Sequence, residues 1–113
     1  MAQVIISSHL EDEINKKFKG ESVDVFELIY SLEKNPQKGK ELGQVSGIVI
    51  KELRYKSFRF YFISDGYRLK FMQKEDLDNL LIRFVRMSDK KAQQKTIDEI
   101  KIILRSLGEK GFE

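Results

Sequence analysis

Arginines interleaved with aromatic residues are the part of this chain whose types and spacing can do chemistry. Between Lys51 and Ile100 the sequence runs KELRYKSFRFYFISDG, YRLKFM, LLIRFVRMSDKK and KTIDEI. Phe58, Phe60 and Phe62 share one parity of an extended strand, and Arg59, Tyr61 and Ile63 share the other. This alternation predicts a sheet with one apolar face on a core and one cationic face in water. A guanidinium stays charged and its fork contacts two phosphate oxygens. A row of them suits a phosphate-rich partner. Residues 51–95 hold twelve Lys or Arg against six Asp or Glu, so the basic excess behind the net charge of +3 is concentrated here.

The elements that must position these residues can be read along the chain. Val4 to Ile6 predicts a first strand. Ser8 and Glu11 form a capping box, S-x-x-E, that opens a helix over about 9–19, ended by Gly20. Ser22 caps a second helix with the apolar stripe Val25, Phe26, Leu28, Ile29 and Leu32, stopped by Asn35-Pro36. The two make a helical hairpin. Gln37 to Gly47 is polar and Gly-spaced and reads as a loop. Strands are expected at Ile48–Tyr55 and from Phe58 to Ile63. Asp65-Gly66 signals a hairpin, followed by a strand over Tyr67–Phe71 and a polar turn at Lys74–Asn79. Leu80–Met87 is a further strand. Thr96 and Glu99 form a second capping box opening a final amphipathic helix that ends at Gly108. The order is β-α-α-β-β-β-β-α. It predicts an α+β fold, a small twisted, mostly antiparallel sheet with an N-terminal helical hairpin and a C-terminal helix.

Composition sets bounds. The 113 residues make one domain by length, and a 41% hydrophobic content supplies one core. No apolar run is long enough for a membrane span, and MAQVIISS lacks the features of a secretion signal. The absence of cysteine excludes disulfides and thiolate metal sites and fits a reducing, cytoplasmic setting. One histidine makes a metal site improbable, and no metal or other cofactor is expected. There is no P-loop, dinucleotide-binding glycine motif or Ser/His/Asp arrangement.

The ordered set of a helical hairpin, "LR" and "FRFYF" across a strand pair, "DG", "RFVRMSDKK" and "KTIDEI" resembles the RelE/ParE toxin superfamily over nearly the whole chain, nearest its RelE and HigB-type branches. The resemblance implies a small twisted sheet flanked by helices. It also implies the toxin of a type II toxin–antitoxin system, with a cognate antitoxin, the ribosome and mRNA as partners. The implied activity is metal-independent, ribosome-dependent mRNA cleavage. Such cleavage needs a base for the 2′-hydroxyl, an acid for the leaving 5′-oxygen, and cations for the charge gathering at phosphorus.

Arg59 matches the family's strand arginine and is assigned phosphate orientation and transition-state stabilisation; an exposed, solvated arginine is the plain alternative. Arg86, at the end of the last strand, is the second catalytic cation, favoured over Arg83. Glu52 is the candidate base if partly buried, and otherwise a solvated strand carboxylate. Arg54 is at the "LR" position and clamps a flanking phosphate or pairs with Glu52 or Asp65. Arg83, Lys90, Lys91 and Lys95 are candidate RNA contacts. Tyr55 and Tyr61 either stack on bases or pack in the sheet. His9 is remote in sequence from the arginines and reads as a surface residue. Glu11, Asp12 and Glu13 suit the first turn of a helix. Glu52 stands where some family members carry lysine, and no tyrosine follows Tyr67. Both departures favour a competing expectation, a non-catalytic binding module of the same fold, either a toxin that inhibits DNA gyrase or a degenerate member that keeps only protein partners.

Overall fold

The computed structural model describes the backbone of residues 1–113 and every side chain except that of Lys74. The strands are β1 (Gln3–Ile6), β2 (Lys40–Val45), β3 (Ile48–Tyr55), β4 (Phe58–Asp65) and β5 (Leu81–Asp89). The α-helices are α1 (Ser8–Phe18), α2 (Ser22–Tyr30), α3 (Gly66–Phe71) and α4 (Gln93–Leu107). One mixed sheet has the order β1-β5-β4-β3-β2, antiparallel except that β1 runs parallel to β5. The fold is therefore α+β, with helices at both ends of the chain. Among the described residues no helix is long and apolar enough to cross a membrane.

α1 starts one residue earlier than the S-x-x-E box predicts, because Ser7 Oγ accepts the Leu10 N–H at 3.3 Å. Leu10 and Ile14 of α1, with Val25 and Ile29 of α2, recur at helical spacing and bury one stripe each. Against this stripe the sheet presents Val4, Leu53, Phe60, Phe62, Ile82 and Phe84. The other sheet face is not in water as the alternation predicts. Ile97, Ile100 and Leu104 of α4, with Phe112, pack on Ile50, Tyr61, Ile63 and Val85. β4, at the centre of the sheet, is consequently buried at both parities from Arg59 to Ser64.

Three further corrections follow. The segment expected to be a loop contains β2, joined to β3 through Ser46 and Gly47, whose φ values of 51° and 83° are those of a primed hairpin turn. The strand expected over Tyr67–Phe71 is α3. Asp65 caps it by accepting the Arg68 N–H at 3.1 Å, and the Tyr67 and Phe71 rings, one helical turn apart, meet with centroids 4.9 Å apart. Finally, α4 opens before the Thr96–Glu99 box. Asp89 Oδ1 accepts the Ala92 N–H at 2.9 Å, and Thr96 lies inside the helix with its hydroxyl donating to the Ala92 carbonyl.

Candidate nucleic-acid interface

β3, β4 and β5 are neighbours, so their registers decide which side chains share a rung. Arg54 stands opposite Arg59, and Arg59 opposite Ser88. On the next rung of the same face Glu52 stands opposite Tyr61, and Tyr61 opposite Arg86. Four residues singled out from sequence, Glu52, Arg54, Arg59 and Arg86, are thereby gathered on the face covered by α4. Arg86 reaches it through a β-bulge. Phe84 pairs with Phe62 and Arg86 with Tyr61, leaving Val85 as the extra residue. Strict alternation from Phe84 would have turned Arg86 to the α1–α2 face.

The pair at the centre is closed off. Arg59 and Glu52 side chains are 6% and 4% exposed, with Arg59 Nε 3.8 Å from Glu52 Oε2. That separation is Coulombic rather than hydrogen-bonded, and Arg59 Nε has no hydrogen-bond partner among the described residues. Glu52 Oε2 accepts instead from Gln93 Nε2, at 3.2 Å, in the first turn of α4. The sequence reading of Arg59 as solvent-facing and of Glu52 as a solvated strand carboxylate is corrected by this packing. Beside them the Tyr61 and Ser88 hydroxyls are 2.8 Å apart, and Ser88 Oγ donates to the Asp89 carbonyl, which leaves it to accept from Tyr61. Burial pushes the Tyr61 phenol pKa up; Glu52 and Asp89 add to this, while Ser88 and Arg59 oppose it. Tyr61 thus packs rather than stacking on a base. Tyr55 stands edge-on to Phe18 with centroids 5.6 Å apart. Ser88 and Gln93 were missed from sequence, and Tyr61 was read there only as a base-stacking or packing residue. For Tyr61 the available signal was its shared parity with Arg59.

Arg54 is exposed and makes no ion pair among the described residues. Its suggested partners are engaged elsewhere, Glu52 with Arg59 and Asp65 as the α3 cap. Lys90 and Lys91 are exposed on the turn between β5 and α4, just beyond the Arg54–Arg59–Ser88 rung, and Lys95 is exposed early in α4. The cations therefore ring one end of the closed pair.

Arg83 and Arg86 lead away from that centre. Arg83 stands opposite Ile63 of β4 and Ile5 of β1. The Arg86 guanidinium lies 5.4 Å over the Phe112 ring, and its Nη1 donates to the Val85 carbonyl at 2.8 Å. Both arginines line a recess of about 410 Å³ shared with His9. His9, set apart from the arginines on sequence distance, is brought to them by the parallel pairing of β1 with β5. Its Nε2 lies 3.3 Å from Glu13 Oε1.

The α1–α2 face holds one buried cation. Lys51 Nζ donates to the Gln37 carbonyl at 3.0 Å and lies 5.9 Å over the Phe62 ring. Burial pushes its pKa down, and Glu41 opposes the shift. Among the described residues no three His, Asp or Glu side chains converge to hold a metal ion.

Compared with family models, with curated proteins and with solved structures, the chain matches none.

Proposed function

We propose that this chain is a toxin of the RelE/ParE type, with a RelE-like fold, that cleaves mRNA on the ribosome without a metal and is neutralised by a cognate antitoxin. The observation that carries this is the opposition of Arg54 and Arg59 across β3 and β4. Like charges directly opposite destabilise a strand pair. Glu52 shields Arg59 alone, so an anion beside Arg54 would offset the remaining repulsion, and a phosphodiester is the anion the guanidinium fork suits.

In the proposed reaction the 2′-oxygen bonds to phosphorus as the bond to the 5′-oxygen breaks. A cyclic phosphate and a 5′-hydroxyl result. Glu52 takes the 2′ proton, Arg59 meets the charge gathering on the phosphoryl oxygens, and solvent returns a proton to the leaving oxygen. Arg54, Lys90, Lys91 and Lys95 hold flanking phosphates. Because Glu52 and Arg59 are covered, the first turn of α4 must lift. The Gln93–Glu52 hydrogen bond is the contact broken, worth about 1.5–3 kcal/mol for a bond to a charged group. Action on ribosomes would place the protein in the cytoplasm.

The test is mRNA cleavage on programmed ribosomes by the wild type, by Arg54→Ala and by Arg59→Lys. Arg54 is exposed, so its loss leaves the fold intact. Arg59→Lys keeps the charge and loses the fork. Each variant is expected to cleave at least about tenfold more slowly, about 1.4 kcal/mol of barrier. The burial of Glu52 and Arg59 specifically favours a second reading, a non-catalytic module in which the pair is structural and the target is gyrase. A folded wild type that leaves mRNA intact and inhibits gyrase supercoiling would establish it.

A further inference from the structure

The recess between the start of α1, β5 and the C-terminal 3-10 turn at Gly108–Phe112 has features the proposed chemistry does not use. Arg83 and Arg86 are both partly buried, and neither makes an ion pair among the described residues. A partly desolvated guanidinium without a counter-charge favours an anion. The Arg86 guanidinium is held over Phe112 rather than left to sample solvent, so less side-chain freedom is lost when it binds. His9, the sole histidine, is on the same wall, oriented by Glu13. Glu113 is the one acid lining the recess, and it is exposed. Two partly buried guanidinium groups therefore share the recess with the exposed Glu113. The volume of about 410 Å³ exceeds that of a bare phosphate and leaves room for an attached sugar.

We infer that this recess is a phosphate-binding site, separate from the closed Glu52–Arg59 pair. It takes a backbone phosphate of single-stranded RNA between Arg83 and Arg86, with His9 at its edge. The identity of the ligand as RNA rests on the function proposed above. The phosphate chemistry of the recess does not. The site also gives the RNA a second point of attachment. A strand held here and at Arg54 would cross the face that α4 covers, from the β1 edge of the sheet to β3.

The single histidine makes the experiment direct, because its Cε1–H gives one imidazole resonance. The full chain is titrated first with inorganic phosphate and then with a short single-stranded RNA, whose binding is followed in parallel by fluorescence anisotropy at several salt concentrations. The expected result is a saturable shift of the His9 resonance with both probes. With Arg83→Gln plus Arg86→Gln, the slope of log affinity against log salt should become shallower by about 0.7, the value for neutralising one fewer phosphate on a single strand. A far-ultraviolet melt of the variant verifies folding, and the wild-type titration does not depend on it. RNA that binds while His9 stays still and the variant binds equally would overturn the recess and leave the ribonuclease proposal standing. A response to inorganic phosphate with no RNA binding would support the phosphate site and overturn RNA as its ligand. No response to either probe would overturn the recess, and cleavage on programmed ribosomes would still decide the ribonuclease proposal.

Discussion

Replacing Arg59 by methionine tests how the buried pair is held. The variant leaves Glu52, 4% exposed, with Gln93 as its one side-chain hydrogen-bond donor among the described residues. At 3.8 Å and an effective dielectric constant of about 20, the attraction removed is about 4 kcal/mol. Breaking a buried pair from one side generally costs about 3–5 kcal/mol, because a charge is left buried and uncompensated. Total stability for a domain of this size is about 5–15 kcal/mol. The variant should thus lose about a fifth of it or more, visible as a lower urea midpoint at unchanged slope. Adding Glu52→Leu should return stability to within about 1 kcal/mol of the wild type, or above it, since an apolar replacement of both partners removes the desolvation cost. The two single variants and the double form a cycle that isolates the coupling. The gap between wild type and Arg59→Met should also persist in moderate salt, which screens buried pairs little. An Arg59→Met variant within about 1 kcal/mol of the wild type would refute the reasoning, because it would mean that Glu52 tolerates burial without its partner.

Other expectations follow from single contacts. Tyr61→Phe should cost about 0.5–1.5 kcal/mol in urea unfolding, no more, because Ser88 retains the Asp89 carbonyl. Lys51→Met should be neutral or stabilising at neutral pH, since it removes a buried charge whose carbonyl partner, on Gln37, belongs to an exposed residue. Its pH dependence has a definite sign. The folded-state pKa is depressed, so between that value and the ordinary 10.5 the unfolded chain binds more protons and stability rises with pH. Melting temperatures taken across that alkaline window should show the rise in wild type relative to Lys51→Met. Gly39→Ala should destabilise by more than about 1 kcal/mol, because Gly39 has φ of 105° and its added Cβ would be 2.8 Å from Phe62 Cζ. Gly20→Ala, into open space at ordinary φ, should be stabilising by about 0.4–1 kcal/mol; thermal melts of the two compare them.

Elements whose pattern agreed with their environment were legible in the sequence. The apolar stripes of α1, α2 and α4 and the aromatic parity of β4 each point to the surface they bury. Two elements were ambiguous for physical reasons. Lys40–Val45 has little alternation and no aromatic residue, and it becomes a strand because its turn to β3 sets it alongside that strand. Tyr67–Phe71 satisfies both the two-residue and the four-residue spacing, and the Asp65 cap decides between them. At the candidate site, the shared face of Glu52, Arg54 and Arg59 follows from parity and hairpin register. Arg86 joins it only through the bulge at Val85, which nothing in the local pattern announces. The burial of Arg59 depends on where α4 lands, and the approach of His9 to Arg83 on a pairing across most of the chain.

That pairing also dictates an order of assembly. Gln3 meets Leu81, 78 positions later, and closing a loop of that length costs about 4 kcal/mol of chain entropy before the contact returns anything. The β3–β4 hairpin, closed by Lys56 and Ser57, has almost no such barrier, so the centre of the sheet can form while β1 waits. At synthesis rates of about 5–20 residues per second, the first strand leaves the ribosome several seconds before its partner exists. Over that interval the nascent chain has its histidine but neither Arg83 nor Arg86. The recess comes into being late, after the final strand has captured the first and the Gly108–Phe112 turn beyond α4 has closed under Arg86.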